Sequence, residues 1–347
     1  MRETGSTADT THDRPNVGVA DDLTERLSAA VDDTDAHLDR VAAPIRDLAL
    51  AIDIGGTKMA VGLATRKGEL IDRDQVLVDH DIDGERLFAS LAELVDMMML
   101  RATEQHNGRI VVVGVGSAGP VERDVESVSP LNIHSWRQFP LRQRLHDIVG
   151  APVYGDLDAK ALALAEGWLG AARGHSNFLG MVVSTGIGGG VVLDGQLLDG
   201  ASGNAGHIGH MIVEPNGRRC PCGAKGCLEA EASGTAIEAI TGRPPTEPTY
   251  EIMQRTGRLV GVAVASVCNL LDLDLAVVGG SVALGFGATF FLSAQEAIDE
   301  HSRLTFSRGA RITPVRLGDK GPLIGASAIG WRGLNRATNA LQPRVAG

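Results

Sequence analysis

Four side chains between positions 210 and 227 have the types and spacing of a metal site. His210, Cys220, Cys222 and Cys227 follow one another as H-x9-C-x-C-x4-C, and glycines at 223 and 226 let so short a loop fold around an ion. One imidazole and three thiolates close a tetrahedron around Zn2+ and leave no open position, which is structural rather than catalytic zinc chemistry. His207 competes with His210 for the imidazole place. Three of the chain's four cysteines fall in this cluster, so they read as metal ligands in a reducing compartment and not as a disulfide framework. The fourth, Cys268, sits in an apolar run and reads as a core thiol.

A second chemistry is written in glycine. Asp53, Gly55, Gly56, Thr57 and Lys58 form D-I-G-G-T-K between two apolar runs. A glycine pair there lets backbone N–H groups approach a phosphate, with a hydroxyl and a cation beside it, while Asp53 at the strand end is placed to hold a metal-bound water. A P-loop is excluded, because GxxxxGK[ST] is absent and a strand follows. Taken alone, the segment is equally an ordinary hairpin turn. A second such turn spans Ser184, Thr185, Gly186, Gly188, Gly189 and Gly190, and a third glycine pair, Gly279 and Gly280, ends an apolar run after a long helical stretch. Three glycine-lined strand ends meeting in one cleft suit an ATP site.

The elements that must position these residues follow from periodicity. Residues 48–65 predict a strand, a glycine turn and a second strand, with a third strand before residue 80. A helix is predicted over 85–107, its Met97, Met98 and Met99 used for packing, then a strand at 109–119, a short helix at 141–149 and a short strand to 158. A helix of strong formers is predicted over 159–172. The second half repeats the arrangement: strand, glycine turn, strand over 177–198, a long helix at 256–271, strands at 275–280 and 310–317, and a last helix over 323–340. The repeat implies an internally duplicated α/β protein with a cleft between its halves.

Composition narrows the function. The chain has 347 residues with a net charge of −11 and 3% aromatics; that is the wrong sign for a phosphate backbone and too few stacking rings for single strands, so no nucleic-acid partner is expected. Residues 1–47 carry 11 Asp/Glu against 5 Arg, and read as a polar, disordered start followed by one acidic amphipathic helix over 22–45. No membrane partner is expected: the longest near-apolar run, 259–271, is interrupted by Ser266 and Asn269 and falls short of the roughly 20 residues a span needs. The first residues lack the apolar stretch of a secretory signal, so the expected home is the cytoplasm.

Together these motifs resemble the ROK family of sugar kinases and related repressors, over roughly residues 48–340. The resemblance is carried by DIGGTK, TGIGGG, the IGH…CxCGxxGCLE segment and the late VVGG. It implies two RNase H-like α/β domains of the actin/hexokinase superfamily, closing on ATP with Mg2+ and a hexose. By that likeness residues 48–155 with 323–340 form a smaller domain, residues 156–322 a larger one with the zinc loop, and the protein is a homodimer or homotetramer.

The family's catalytic base lies in an Asn-Asp-Ala motif before a helix. The matching stretch here is Gly155-Asp156-Leu157-Asp158-Ala159-Lys160, which implies Asp158 as the base, although Asp is also a good helix cap. Asn132, His210 and Glu229 match sugar contacts of the family, His210 serving zinc with one ring nitrogen and the sugar with the other. Two positions depart from the pattern. Leu157 stands where Asn is usual, leaving Asp156 as a compensating or competing carboxylate, and His207 replaces a Glu that contacts sugar hydroxyls. The resemblance therefore implies a glucokinase-like enzyme with intact phosphoryl-transfer machinery and an altered sugar pocket. An N-acetylmannosamine, N-acetylglucosamine or cyclitol kinase is the nearest alternative. A repressor is more remote, since residues 1–47 offer no recognition helix or basic face, and so is a sugar sensor without catalysis.

Overall fold

The computed structural model describes residues 44–341, with the side chains of 339–341 excepted. Of the acidic extension expected over 1–47 and its helix, only 44–47 fall within the described residues: 44 and 45 are not helical, and Arg46 and Asp47 already open the first strand. Strand β1 (Arg46–Ile54) turns at Gly55 and Gly56 into antiparallel β2 (Lys58–Thr65), which pairs in turn with β3 (Leu70–Leu77). β1 is buried along almost its whole length, as expected of a central strand with both faces covered. Asp83 caps helix α1 (Gly84–Glu104) by accepting the Arg86 N–H at 2.9 Å, and α1 buries Leu87, Leu91, Val95 and Met98. β4 (Gly108–Ser117) runs parallel to β1; after α2 (Leu141–Val149), β5 (Val153–Leu157) runs parallel to β4. The sheet order is β3-β2-β1-β4-β5.

Helix α3 (Asp158–Trp168) leads to a second sheet. β6 (Phe178–Val183), β7 (Ile187–Leu193) and β8 (Gln196–Leu197) form an antiparallel meander. Its second turn, Asp194-Gly195, takes positive φ at both residues, as two-residue hairpins require. After α4 (Leu228–Ala232), α5 (Gly234–Thr241) and α6 (Tyr250–Leu271) comes β9 (Leu275–Gly279), then α7 (Ser281–His301) and β10 (Arg311–Pro314). The order β10-β9-β6-β7-β8 repeats the first sheet strand for strand. The duplicated α/β architecture expected of two RNase H-like halves is present.

The last helix, α8 (Gly321–Leu341), returns to the first sheet. Glycine makes this approach possible: a Cβ on Gly330 would lie 3.1 Å from the Gly114 backbone, and one on Gly325 would overlap the Ala161 carbonyl of α3. On its other side α3 meets the second sheet, where Gly180 and Gly190 face Ala163 at 2.6 and 2.9 Å from an added Cβ. α3 and α8 thus form the layer between the two sheets, lined by small residues.

Several elements differ from expectation, and α4 and α5 have no counterpart in it at all. α3 ends at Trp168 and not at Ala172, because the buried Glu166 carboxylate takes the Ala171 N–H and draws the chain out of the helix. α6 begins six residues earlier than its periodicity indicates, at a Thr249 cap. α7 likewise has no counterpart among the expected elements, and among the described residues it is the one helix long and apolar enough, by length and composition, to cross a membrane. Its Val282, Phe286, Phe290, Ala294 and Ile298 are core residues, and Gly257 and Gly261 of α6 bring the two helices into backbone contact.

Candidate active site

The register of the first sheet aligns Asp53 of β1, Gly116 of β4 and Asp156 of β5 at the carboxyl ends of the strands, where ligands bind in open α/β sheets. Asp158 follows as the first residue of α3. A Cβ on Gly116 would stand 3.8 Å from Asp53 Oδ1 and 3.9 Å from Asp158 Cα, so the two acids converge over that glycine. The Asp158 charge is felt in the titration of Asp53. Burial first, and then the Asp158 charge, push Asp53 up to about 7 against the pull of Lys58. Burial pushes Asp158 up to about 6, although its Oδ1 accepts the Ala159 N–H at 2.7 Å. Raised carboxyls facing each other in a cleft are the pattern of acid–base sites.

These shifts have a sign for stability. Both carboxyls titrate near 3.8 when exposed and higher in the folded protein, so between those values the folded state holds more protons. The stabilisation is present below pH 3.8 and lost as pH rises through about 7. Asp53→Asn is therefore expected to raise the ligand-free protein's stability at pH 8 by on the order of 4 kcal/mol, read from urea midpoints across pH. An unchanged pH dependence would refute the burial of this charge.

The Asp156 carboxylate is already engaged. Lys160, one turn along α3 and wholly buried, holds it at 3.1 Å, and the ammonium also donates to the Gly203 carbonyl at 2.5 Å. Leu157 turns its side chain onto Gly119 in the loop after β4, 2.8 Å from an added Cβ. Leu131 of the same loop donates its N–H to the Gly119 carbonyl, and next to it Asn132 lies over Gly56, whose added Cβ would sit 2.6 Å from Asn132 Cβ. The first glycine turn and the loop asparagine are thus brought together. The turn is closed by the Gly55 N–H donating to the Lys58 carbonyl at 3.0 Å, with Thr57 exposed. Lys58 extends away from the turn and donates to Gln75 Oε1 at 3.1 Å.

On the second sheet the turn proper is Ser184–Gly186. Gly188, Gly189 and Gly190 lie inside β7, where they let α3 and the Gly206–Ile208 segment pack closely. The Ser184 hydroxyl lies 2.9 Å from that of Ser281, the first residue of α7. Gly280 takes φ +98° with its Cα against the Val183 carbonyl, which no side chain would permit. The second and third glycine motifs therefore meet, as their sequence pattern implies. The Gly234 N–H at the start of α5 donates to the Ser184 carbonyl at 2.7 Å. Gly116, Lys160, Gly234 and Ser281 have no motif to mark them; only sheet register and helix packing bring them here.

Glu229 lies beside this turn, its Oε2 accepting the Ile187 N–H at 2.8 Å. His207 and His210 open to solvent with ring centroids 5.9 Å apart. The His207 imidazole is held below the usual histidine range by partial desolvation, then by His210 and Lys160, with Glu229 opposing. The ligand atoms of His210, Cys220, Cys222 and Cys227 all lie within 4.8 Å of one another. His210 Nδ1 is 3.7 Å from Cys220 Sγ, and Cys222 Sγ is 3.7 Å from Cys227 Sγ. Such separations are far longer than a disulfide and match the edges of a tetrahedron of thiolates about 2.3 Å from a central Zn2+. The donor set fits that ion. Glu231, buried at the base of the loop, accepts the Arg218 N–H and pairs with Arg255 of α6, fixing the loop to the core.

The profile of the ROK family matches residues 49–332. An N-acetylmannosamine kinase of Haemophilus influenzae is 33% identical over 254 residues, 69% of this chain and 82% of that protein. A ROK hexokinase from Thermus thermophilus superposes with a TM-score of 0.73 at 32% identity, covering 83% of this chain and 99% of that one. A ROK-family glucokinase from Streptomyces griseus, solved with glucose and AMPPNP, superposes with a TM-score of 0.68 at 26% identity over 82% of this chain and all of that one. With its duplicated sheets, its paired glycine turns and the profile match over most of its length, the chain belongs to the ROK family.

Proposed function

We propose that the chain is an ATP-dependent sugar kinase that phosphorylates the primary hydroxyl of a hexose, in the manner of a glucokinase. The observation that carries this reading is the placement of Asp158 at the start of α3, facing Asp53 across Gly116, with its carboxyl raised to about 6. A base in that range is largely ionised at neutral pH and still takes a proton readily. Asp158 accepts the proton of the sugar hydroxyl as that oxygen attacks the γ-phosphorus; the bond to the β,γ-bridging oxygen breaks and ADP leaves. Gly55, Gly56 and Thr57 of the first turn and Ser184, Thr185 and Gly186 of the second offer N–H groups and hydroxyls to the phosphates, and the Gly279-Gly280 turn admits the nucleotide beside Ser281. Lys58 swings from Gln75 to reach the phosphates. Asp53 would hold Mg2+, which supplies charge neutralisation on the transferring group.

Asn132, His207, His210 and Glu229 bind the sugar hydroxyls. Zinc held by His210, Cys220, Cys222 and Cys227 would fix the loop that presents them. The two lobes are residues 48–155 with 323–340 and residues 156–322, although β5 carries Asp156 and Leu157 into the first sheet. An N-acetylhexosamine or cyclitol kinase is the second reading, favoured by His207 and Leu157, because a neutral imidazole and an alkyl group bind fewer hydroxyls than the Glu and Asn they replace. The test is ATP consumption with a panel of hexoses, amino sugars, N-acetylhexosamines and cyclitols. Turnover greatest with glucose is expected; turnover greatest with an N-acetylhexosamine or cyclitol selects the second reading, and none with any member defeats both.

A further inference from the structure

Lys160 is the one lysine among the described residues whose side chain is wholly buried, and nothing in the phosphoryl-transfer scheme employs it. It stands two residues after Asp158, in a helix otherwise built of Ala, Leu, Gly, Trp and a single buried Glu. Placing an ammonium there costs several kcal/mol of desolvation, and an apolar side chain of similar length is commonly neutral or stabilising at such a site. Stability alone therefore does not account for it.

Its partners come from different parts of the fold. Asp156 belongs to β5 in the first sheet, at the floor of the cleft. Gly203 belongs to the segment 198–206, which leaves β8 in the second sheet and runs directly into His207. This strap is mostly exposed. Its start is tied by Asp199, which accepts from Arg332 and Arg336 of α8. Its middle is tied by the Ala201 carbonyl, which accepts from Arg123 at 3.3 Å. Its end is pinned at Gly206, φ +102°, whose backbone lies against the Gly189 carbonyl. Of these ties, the one at Gly203 comes from the helix that begins with Asp158.

We propose that Lys160 is a positioning residue for the sugar half of the site: by bonding the Gly203 carbonyl to the Asp156 carboxylate, it sets where His207 stands relative to Asp158. The helix carrying the base and the strap carrying a sugar contact both pack on β7, and the buried ammonium adds the direct side-chain bond between them. A sugar hydroxyl held by His207 is then in register with the carboxylate that must take the proton of the primary hydroxyl. ATP, bound by the glycine turns, is not held by the strap. This role rests on the sugar-kinase reading.

Two variants cut the tie from opposite sides. Lys160→Met with Asp156→Asn removes both buried charges together, leaving no uncompensated ion. Gly203→Val leaves the charges in place; space around its Cβ is open, but φ is +87°, which a β-branched residue does not tolerate, so the peptide turns and its carbonyl leaves the ammonium. For each, the KM for the sugar is expected to rise about tenfold or more, the scale at which a displacement of an ångström acts. The KM for ATP should change by less than about twofold and bound zinc should be unchanged, a split that general loss of packing does not give. Amide hydrogen exchange should quicken over 199–207 and not in α3.

If the double variant fails to fold, Gly203→Val decides, being on the exposed strap. Sugar and ATP KM rising in step, or a sugar KM unmoved while the strap's exchange quickens, would overturn the assignment. A wild-type enzyme that turns over no sugar defeats the kinase reading. A wild-type enzyme that is active, with both variants matching it, defeats only the role given to Lys160.

Discussion

Asp158→Asn is expected to lower kcat by about 10²–10⁴-fold while sugar and ATP affinities change little. The carboxamide keeps the size of the side chain and still accepts one hydrogen bond, but it cannot take a proton. A capping role makes the opposite prediction, since Asn caps as well as Asp and the substitution would then be almost silent. The Asp158 Oδ1 contact with the Ala159 N–H spans only one residue and leaves the second oxygen for substrate. The wild-type kcat/KM should rise with pH across the interval from about 6 to about 7, as the Asp53–Asp158 pair loses its protons, and in the variant that limb should shift towards Asp53 alone. Asp156→Asn is the comparison that fixes the assignment. Its carboxylate is bound by Lys160, so its loss should cost far less of kcat. Catalysis lost in the Asp156 variant and kept in the Asp158 variant would move the base two residues earlier.

Cys222→Ser is expected to release zinc and, with it, the sugar. Three thiolates and an imidazole gathered within 4.8 Å have little to hold them together without an ion, because ionised thiolates repel one another and protonated thiols are weak hydrogen-bond partners. Burial and neighbouring thiols push Cys227 up to about 12, a shift that a bound cation would oppose by favouring the thiolate. Metal ligation in short loops is itself folding energy, on the order of 10 kcal/mol in small zinc-folded peptides. Losing it should free the segment 210–229, including the helix end that carries Glu229. Elemental analysis should give one zinc per wild-type chain and none in the variant, with the sugar KM raised by more than about tenfold. Wild-type protein without zinc and with full activity would remove the metal from the mechanism. ATP binding, built on the strand turns, should outlast the metal.

Much of this site is legible in the order of the residues. The glycine pairs at 55–56 and 279–280 announce themselves because the turn at the end of a buried strand has few other uses for them, and the Cys–His spacing is specific. Gly188–Gly190 mislead, since a glycine run marks close backbone approach without saying to what; here α3 and Gly206 press against β7. α7 escapes because it is apolar on most sides and carries Gly285 and Gly287, the latter out of helical geometry, so no periodic stripe reveals it. Lys160 escapes for a different reason. Its partner is a backbone carbonyl 43 residues away, and carbonyls leave no trace in sequence. Likewise Asp156 is separated from Asp158 only by its ion pair, which depends on where α3 packs.

The return of α8 to the first sheet bears on the order in which the protein can be made. Every strand of the second sheet lies between residues 178 and 314, a continuous stretch whose helices α6 and α7 are close at hand. The first sheet is complete by residue 157, yet one of its faces waits for Leu323, Ala326 and Trp331. At translation rates of about 5–20 residues per second, domains mature in the order their parts emerge. The half that is synthesised first is thus finished last. Until α8 is made, Ala49, Ala51, Ala60 and Val112 lack their cover on the nascent chain, so synthesis halted before Leu323 leaves a complete second sheet beside an open, adhesive first one.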